Sequence, residues 1–127
     1  MIDRVIYIMS TMSSGLPVGV HLLINVYDVP HPELLTYLTR GRPIMEELIQ
    51  ELDLHVVSQT GYQFSPIGYT YAYVLSESHF TIHTYPEYRS CYMDLFCCNP
   101  QFDPVDAIAR IKQKFHTEHV RSQIIRR

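Results

Sequence analysis

The sequence predicts an α+β fold, a two-layer sandwich in which one antiparallel β-sheet carries two helices packed on one face. Three observations point there. Two segments place apolar residues at helical spacing: Ile44, Met45, Leu48, Ile49 and Leu52 in the first, Val105, Ile108, Ile111 and Phe115 in the second. Short runs around them are rich in β-branched and aromatic residues. The chain has 127 residues, 46% apolar and 18% charged, enough for one core and too few for a second domain of similar size.

Residues 1–17 form a poorly specified extension, because Ser10, Ser13, Ser14, Gly15 and Pro17 break any pattern. Residues 18–127 read as a single domain. Val18 to Tyr27 is an apolar strand that stops at Asp28-Val29-Pro30. Pro32 to Arg42 reads ambiguously, as a short helical turn through Leu34, Leu35 and Leu38. The first amphipathic helix begins beyond Pro43, with Glu46, Glu47, Gln50 and Glu51 facing away from its apolar stripe. Strands follow at Leu54 to Tyr62, Tyr69 to Ser76, Phe80 to Tyr85 and Cys91 to Cys98, with breaks at Ser65-Pro66 and Pro86-Glu87. Asp103-Pro104 starts the second helix, since Asp caps free N–H groups and Pro tolerates the first helical position. His119 to Ile125 reads as a last short strand.

Composition excludes several functions. Ten Lys/Arg stand against thirteen Asp/Glu, a net charge of −3, and the one basic cluster is Arg121, Arg126 and Arg127. That is too little for a nucleic-acid surface. No apolar run approaches the roughly 18 residues that cross a bilayer, and the start of the chain lacks a secretory pattern. Three cysteines, two of them adjacent, make no disulfide framework, so a reducing, cytoplasmic setting is expected.

The stretch Leu75-Ser76-Glu77-Ser78-His79-Phe80-Thr81-Ile82-His83-Thr84-Tyr85-Pro86-Glu87 carries reactive side chains inside a strand-like run. His79 and His83 are poor partners for one metal ion, because positions four apart on a strand are about 13 Å apart. A serine hydrolase lacks its G-x-S-x-G elbow here. No metal is expected.

Glu77-Ser78-His79, Thr81-Ile82-His83-Thr84 and Pro86-Glu87 together resemble the processing-site motif of prokaryotic-type S-adenosylmethionine decarboxylase proenzymes. The resemblance continues through Phe64-Ser65-Pro66 and Gly68 upstream. Downstream it takes in Asp94-Leu95-Phe96-Cys97-Cys98 and Asp103-Pro104, and it covers roughly Val18 to Phe115.

The resemblance implies that the Glu77–Ser78 bond cleaves itself, giving a β chain of residues 1–77 and an α chain of 78–127. Ser78 would become a covalent pyruvoyl group, with His83 as the base for elimination and Thr70 in the place of a processing hydroxyl that is usually serine. The pyruvoyl carbonyl would form a Schiff base with the substrate amine and draw electrons from the departing carboxylate. By family position Cys98 donates the proton, Phe64 and Tyr85 sandwich adenine, and Glu87 accepts from the ribose. The implied assembly is a homodimer of processed protomers with the active site between them.

The bland readings are an ordinary strand serine at Ser78, a core histidine at His83, core aromatics at Phe64 and Tyr85, and sheet packing for the ten tyrosines. His79 is read as structural, Cys97 as a buried small hydrophobe, and Cys91 as uninvolved. The chain departs from the family pattern at Tyr85, usually tryptophan, at Ser76, usually small and apolar, and at Cys98-Asn99-Pro100-Gln101-Phe102, which lacks the usual glycine. The function implied is decarboxylation of S-adenosylmethionine to the aminopropyl donor of spermidine and polyamine synthesis. The alternatives are a pyruvoyl-dependent decarboxylase of ornithine or arginine, and a non-processing regulatory homologue.

Overall fold

The computed structural model describes residues 15–127, so most of the N-terminal extension lies outside the described residues. The elements run β1 (Val20–Val26), α1 (Glu33–Thr36), α2 (Leu38–Glu51), β2 (Val56–Gln63), β3 (Tyr69–Leu75), β4 (Ser78–Tyr85), a 3-10 turn (Pro86–Tyr88), β5 (Ser90–Cys97), α3 (Pro104–Phe115) and β6 (Val120–Arg126). The six strands form one sheet in the order β2-β3-β4-β5-β1-β6, and every pairing is antiparallel. This is the expected α+β sandwich, with the one-turn α1 added to the two long helices.

Alternation decides which face the helices cover. Leu22, Ile24 and Val26, then Tyr69, Tyr71 and Tyr73, then Phe80 and Ile82, then Met93 and Leu95 point into the core. Met45, Leu48 and Ile49 of α2 and Ala107, Ile111 and Phe115 of α3 meet them there. The two helices are also linked by ion pairs from Lys114 to Glu47 and Glu51, and from Arg110 to Glu51. The opposite face carries His21, Asn25, Thr70, His79, His83, Tyr92 and Asp94, half-buried or exposed, and among the described residues no helix lies over it.

Asp103 caps α3 as expected, accepting from the N–H groups of Val105 and Asp106. Val105 does not join the apolar stripe; it is 67% exposed, because the buried phase runs through Ala107, Ile111 and Phe115. The helix read as beginning beyond Pro43 begins at Leu38 instead and runs through the proline. Pro43 lies near the N-terminus, where it costs one hydrogen bond. The Leu38 N–H is met by Gln63 Oε1 at 2.6 Å, a cap from 25 residues away that no local pattern reveals. β2 begins at Val56 rather than Leu54, and all its residues are exposed, as befits an edge strand.

Candidate active site

Ser76 and Glu77 form the two-residue turn that joins β3 to β4, closed by the Leu75–Ser78 pair. Neither turn residue has positive φ, so the tight turn is not of the type that matches strand twist. Ser78 absorbs the misfit with φ of 143°, a region that side-chain-bearing residues rarely adopt. Such a conformation costs on the order of 1–3 kcal/mol and persists only where the surroundings enforce it. The strain sits on the residue whose nitrogen forms the Glu77–Ser78 peptide bond.

The surroundings grip the carbonyl side of that bond. The Cys98 N–H donates to the Glu77 carbonyl oxygen at 2.9 Å. Cys98 follows directly on β5, whose Cys97 pairs with Ser78 across the ladder. Gly19 backs this arrangement: a Cβ there would lie 2.6 Å from the Cys97 carbonyl oxygen and 3.0 Å from the Cys98 Cα. The Cys98 side chain is half-buried, whereas Cys91 and Cys97 are fully in the core. Burial pushes the Cys91 thiol far above its ordinary range and leaves it inert.

Thr70 and His83 lie elsewhere. They face each other across β3 and β4, and Thr70 Oγ1 is hydrogen-bonded to His83 Nδ1 at 3.0 Å on the helix-free face. His83 is five residues along β4 from Ser78, about 16 Å of extended strand. A general base works within about 3 Å of its proton. One chain therefore does not bring Ser78 and His83 together. The expected reactive set divides into two half-sites, Glu77-Ser78-Cys98 at one end of the sheet and Thr70-His83 toward the other.

Around His83 the helix-free face is concave. An open groove of about 780 Å³ is lined by His83, Asn25, Thr81, Tyr92, Asp94 and Arg121. Beside it, His83, Tyr85, Tyr88 and Tyr92 line an aromatic hollow of about 420 Å³, with Tyr85 and Tyr92 in edge contact at 5.6 Å. The tyrosines thus divide: Tyr69, Tyr71 and Tyr73 are core, while Tyr85, Tyr88 and Tyr92 wall a pocket. Phe64 is exposed at the end of β2, and its N–H donates to the Gly68 carbonyl at 2.8 Å. A Cβ on Gly68 would in turn meet the Thr84 carbonyl and Pro86, both at 3.5 Å. Gly68, without a side chain, therefore lies between Phe64 and the Tyr85-Pro86 corner. Glu87 is exposed in the following turn.

His79 belongs to a cluster that sequence spacing missed. Its Nε2 donates to Asp94 Oδ1 at 2.9 Å, and His21 Nε2 donates to the same oxygen at 2.5 Å. Three potential ligands this close could hold a metal ion. Arg127 argues against it, because its guanidinium donates to His21 Nδ1 at 3.0 Å. That fixes the His21 proton on Nε2, and a metal-bound histidine usually offers its second nitrogen to an acceptor. The cluster reads as a hydrogen-bonded brace. Burial raises the Asp94 carboxyl, but the bonds from His79 and His21 outweigh it and hold the group below the usual carboxylate range. The three strands that build the brace are neighbours only in the folded sheet.

Comparison with known proteins places the chain in a family and matches its fold. The family model for S-adenosylmethionine decarboxylase matches residues 20–127. An S-adenosylmethionine decarboxylase proenzyme of Thermosipho melanesiensis is 34% identical over 111 residues, covering 83% of this chain and 85% of its own. The proenzyme of Archaeoglobus fulgidus is 33% identical over 110 residues, covering 87% and 97%. The crystal structure of the adenosylmethionine decarboxylase from Aquifex aeolicus superimposes with a TM-score of 0.80 at 26% identity, covering 89% of this chain and 92% of that one. The fold is that of a small α+β protein built on one antiparallel sheet, and the relatives it matches are proenzymes. The chain belongs to the S-adenosylmethionine decarboxylase family.

Proposed function

We propose that this protein cleaves itself between Glu77 and Ser78 and then decarboxylates S-adenosylmethionine, giving the aminopropyl donor for polyamine synthesis. The observation that carries this reading is the Cys98 N–H on the Glu77 carbonyl, immediately before a serine at φ of 143°. Attack by Ser78 Oγ on that carbonyl carbon moves negative charge onto the oxygen, where the Cys98 amide already donates. The hydroxyl proton passes to the amide nitrogen, and the peptide becomes an ester. Removal of the Ser78 α-proton expels the Glu77 carboxylate as the new end of residues 1–77. Residue 78 is left as dehydroalanine; it tautomerises, and water releases ammonia to give a pyruvoyl group on residues 78–127. That carbonyl supplies the electron sink for loss of carbon dioxide.

The remaining residues take roles in binding and proton transfer. Cys98, half-buried beside residue 78, is the proton donor to the former α-carbon. Phe64 and Tyr85 are the walls for adenine. They lie two strands apart, about 9–10 Å, a gap that admits a planar ring. Tyr88 and Tyr92 extend the aromatic surface toward the cationic sulfonium. Glu87 is free to accept from ribose hydroxyls.

Thr70 and His83 act on a different copy. The helix-free face offers a surface on which a two-fold partner would bring its Thr70-His83 pair to Ser78, making a homodimer with two shared sites. The thiol role of Cys98 suits a reducing compartment such as the cytoplasm. Among the described residues no helix is long and apolar enough to cross a membrane.

The test is turnover of carboxyl-labelled substrates. Carbon dioxide released from S-adenosylmethionine and not from ornithine or arginine supports the reading. Release from a free amino acid alone would overturn the substrate assignment.

A further inference from the structure

The turn that carries the scissile bond is held from outside by one residue with no place in the chemistry above. His55 lies between α2 and β2, directly before the register shift at Val56–Ser58, a bulge of the kind that re-aims neighbouring side chains. Its backbone N–H donates to Glu77 Oε1 at 3.0 Å and its ring Nδ1 to Oε2 at 2.8 Å. Its carbonyl accepts from the Ser76 N–H at 2.8 Å. Three hydrogen bonds from a single residue thus brace both members of a two-residue turn. The Glu77 side chain is 11% exposed, so its carboxylate has few other partners.

Resting on the self-cleavage reading, we propose that His55 is a positioning residue for processing: it clamps the Glu77 side chain so that the scissile carbonyl stays on the Cys98 amide. Glu77 is bonded at both ends, by His55 through its carboxylate and by Cys98 through its carbonyl, which leaves the strained Ser78 little room to relax. The clamp also addresses charge. The attack puts negative charge on the carbonyl oxygen of a residue that already carries a carboxylate. A protonated His55 neutralises that carboxylate and lowers the cost of the second charge.

Two anions face the imidazole, Glu77 and, at 3.7 Å from Nε2, Asp53. The hydrogen bond with Glu77, then its charge and that of Asp53, raise the His55 pKa above its usual value. The charged clamp is therefore complete below about 6.5 and fades as pH rises through the raised folded value. Ser78 activation has its own pH dependence, so the ratio of wild-type to variant rates is the informative quantity.

The experiment follows fresh precursor made by cell-free translation, with cleavage read on denaturing gels from about pH 5.5 to about pH 9, which brackets the usual histidine value. Wild type is compared with His55→Ala, His55→Asn, Glu77→Gln and the His55→Ala/Glu77→Gln double variant. Ser78→Ala serves as the uncleaved control. At low pH His55→Ala is expected to cleave about tenfold more slowly. His55→Asn, with a neutral donor near the Nδ1 position, recovers most of the rate at high pH and little of the low-pH advantage. The single losses do not add in the double variant. Wild-type rates and pH profiles in both His55 variants would overturn the clamp while leaving self-cleavage intact. A wild-type precursor that never cleaves would overturn the processing reading and the clamp with it.

Discussion

Mixing two inactive variants tests the division of the reactive set. On the proposed mechanism Ser78→Ala keeps the Thr70-His83 pair but lacks the nucleophile, and His83→Ala keeps Glu77, Ser78 and Cys98 but lacks the base. Ser78 and His83 are about 16 Å apart along one strand, against the roughly 3 Å that proton transfer requires. If the two groups meet only across a subunit boundary, a mixed dimer has one site with both groups and one with neither. Random pairing of equal amounts puts about half of the His83→Ala chains into mixed dimers. Co-expression should therefore cleave about half of those chains, a quarter of all protein. Alone, Ser78→Ala should not cleave and His83→Ala should cleave about 10²–10⁴-fold more slowly. The assay is an intact-mass count of cleaved and uncleaved tagged chains. No cleavage in the mixture, or fast cleavage by His83→Ala alone, would refute the shared site.

Other consequences follow from the same geometry. Gly19→Ala places a methyl 2.6 Å from the Cys97 carbonyl, so the Cys98 amide must shift; processing should slow by about tenfold or more, read as precursor accumulation. Cys98→Ser leaves that amide in place, so cleavage should proceed while decarboxylation falls by about 10²-fold, measured as turnover per pyruvoyl group. Asp103→Ala removes the cap on α3 and should destabilise the fold by about 1 kcal/mol in denaturant melts, with cleavage unchanged.

Much of this fold was legible because apolar spacing reports which face an element buries. The stripe Met45, Leu48, Ile49 comes directly from that rule, and the strands from their β-branched and aromatic content between turn residues. Long-range caps and packing escaped it: α2 starts at Leu38 because Gln63 meets its N-terminus, and Val105 lies outside the stripe its spacing suggested. The candidate site was legible as a set of residue types and not as a place. The family resemblance associated Ser78 with His83, but linear distance carries no information about the two ends of a sheet. His55, His21 and Tyr92 belong to no motif, and Asp94 lies in one without its contact to His21 and His79 being evident from it; each takes its place through register, a bulge or strand order. The motif supplies residue types, and the sheet decides which of them lie near one another within one protomer.

Self-cleavage between Glu77 and Ser78 is read from a denaturing intact-mass spectrum of freshly purified protein. Two fragments are expected, residues 1–77 and residues 78–127, the second with a blocked, carbonyl-bearing first residue in place of Ser78. A single mass for the uncut chain, or a break at any other bond, would contradict it.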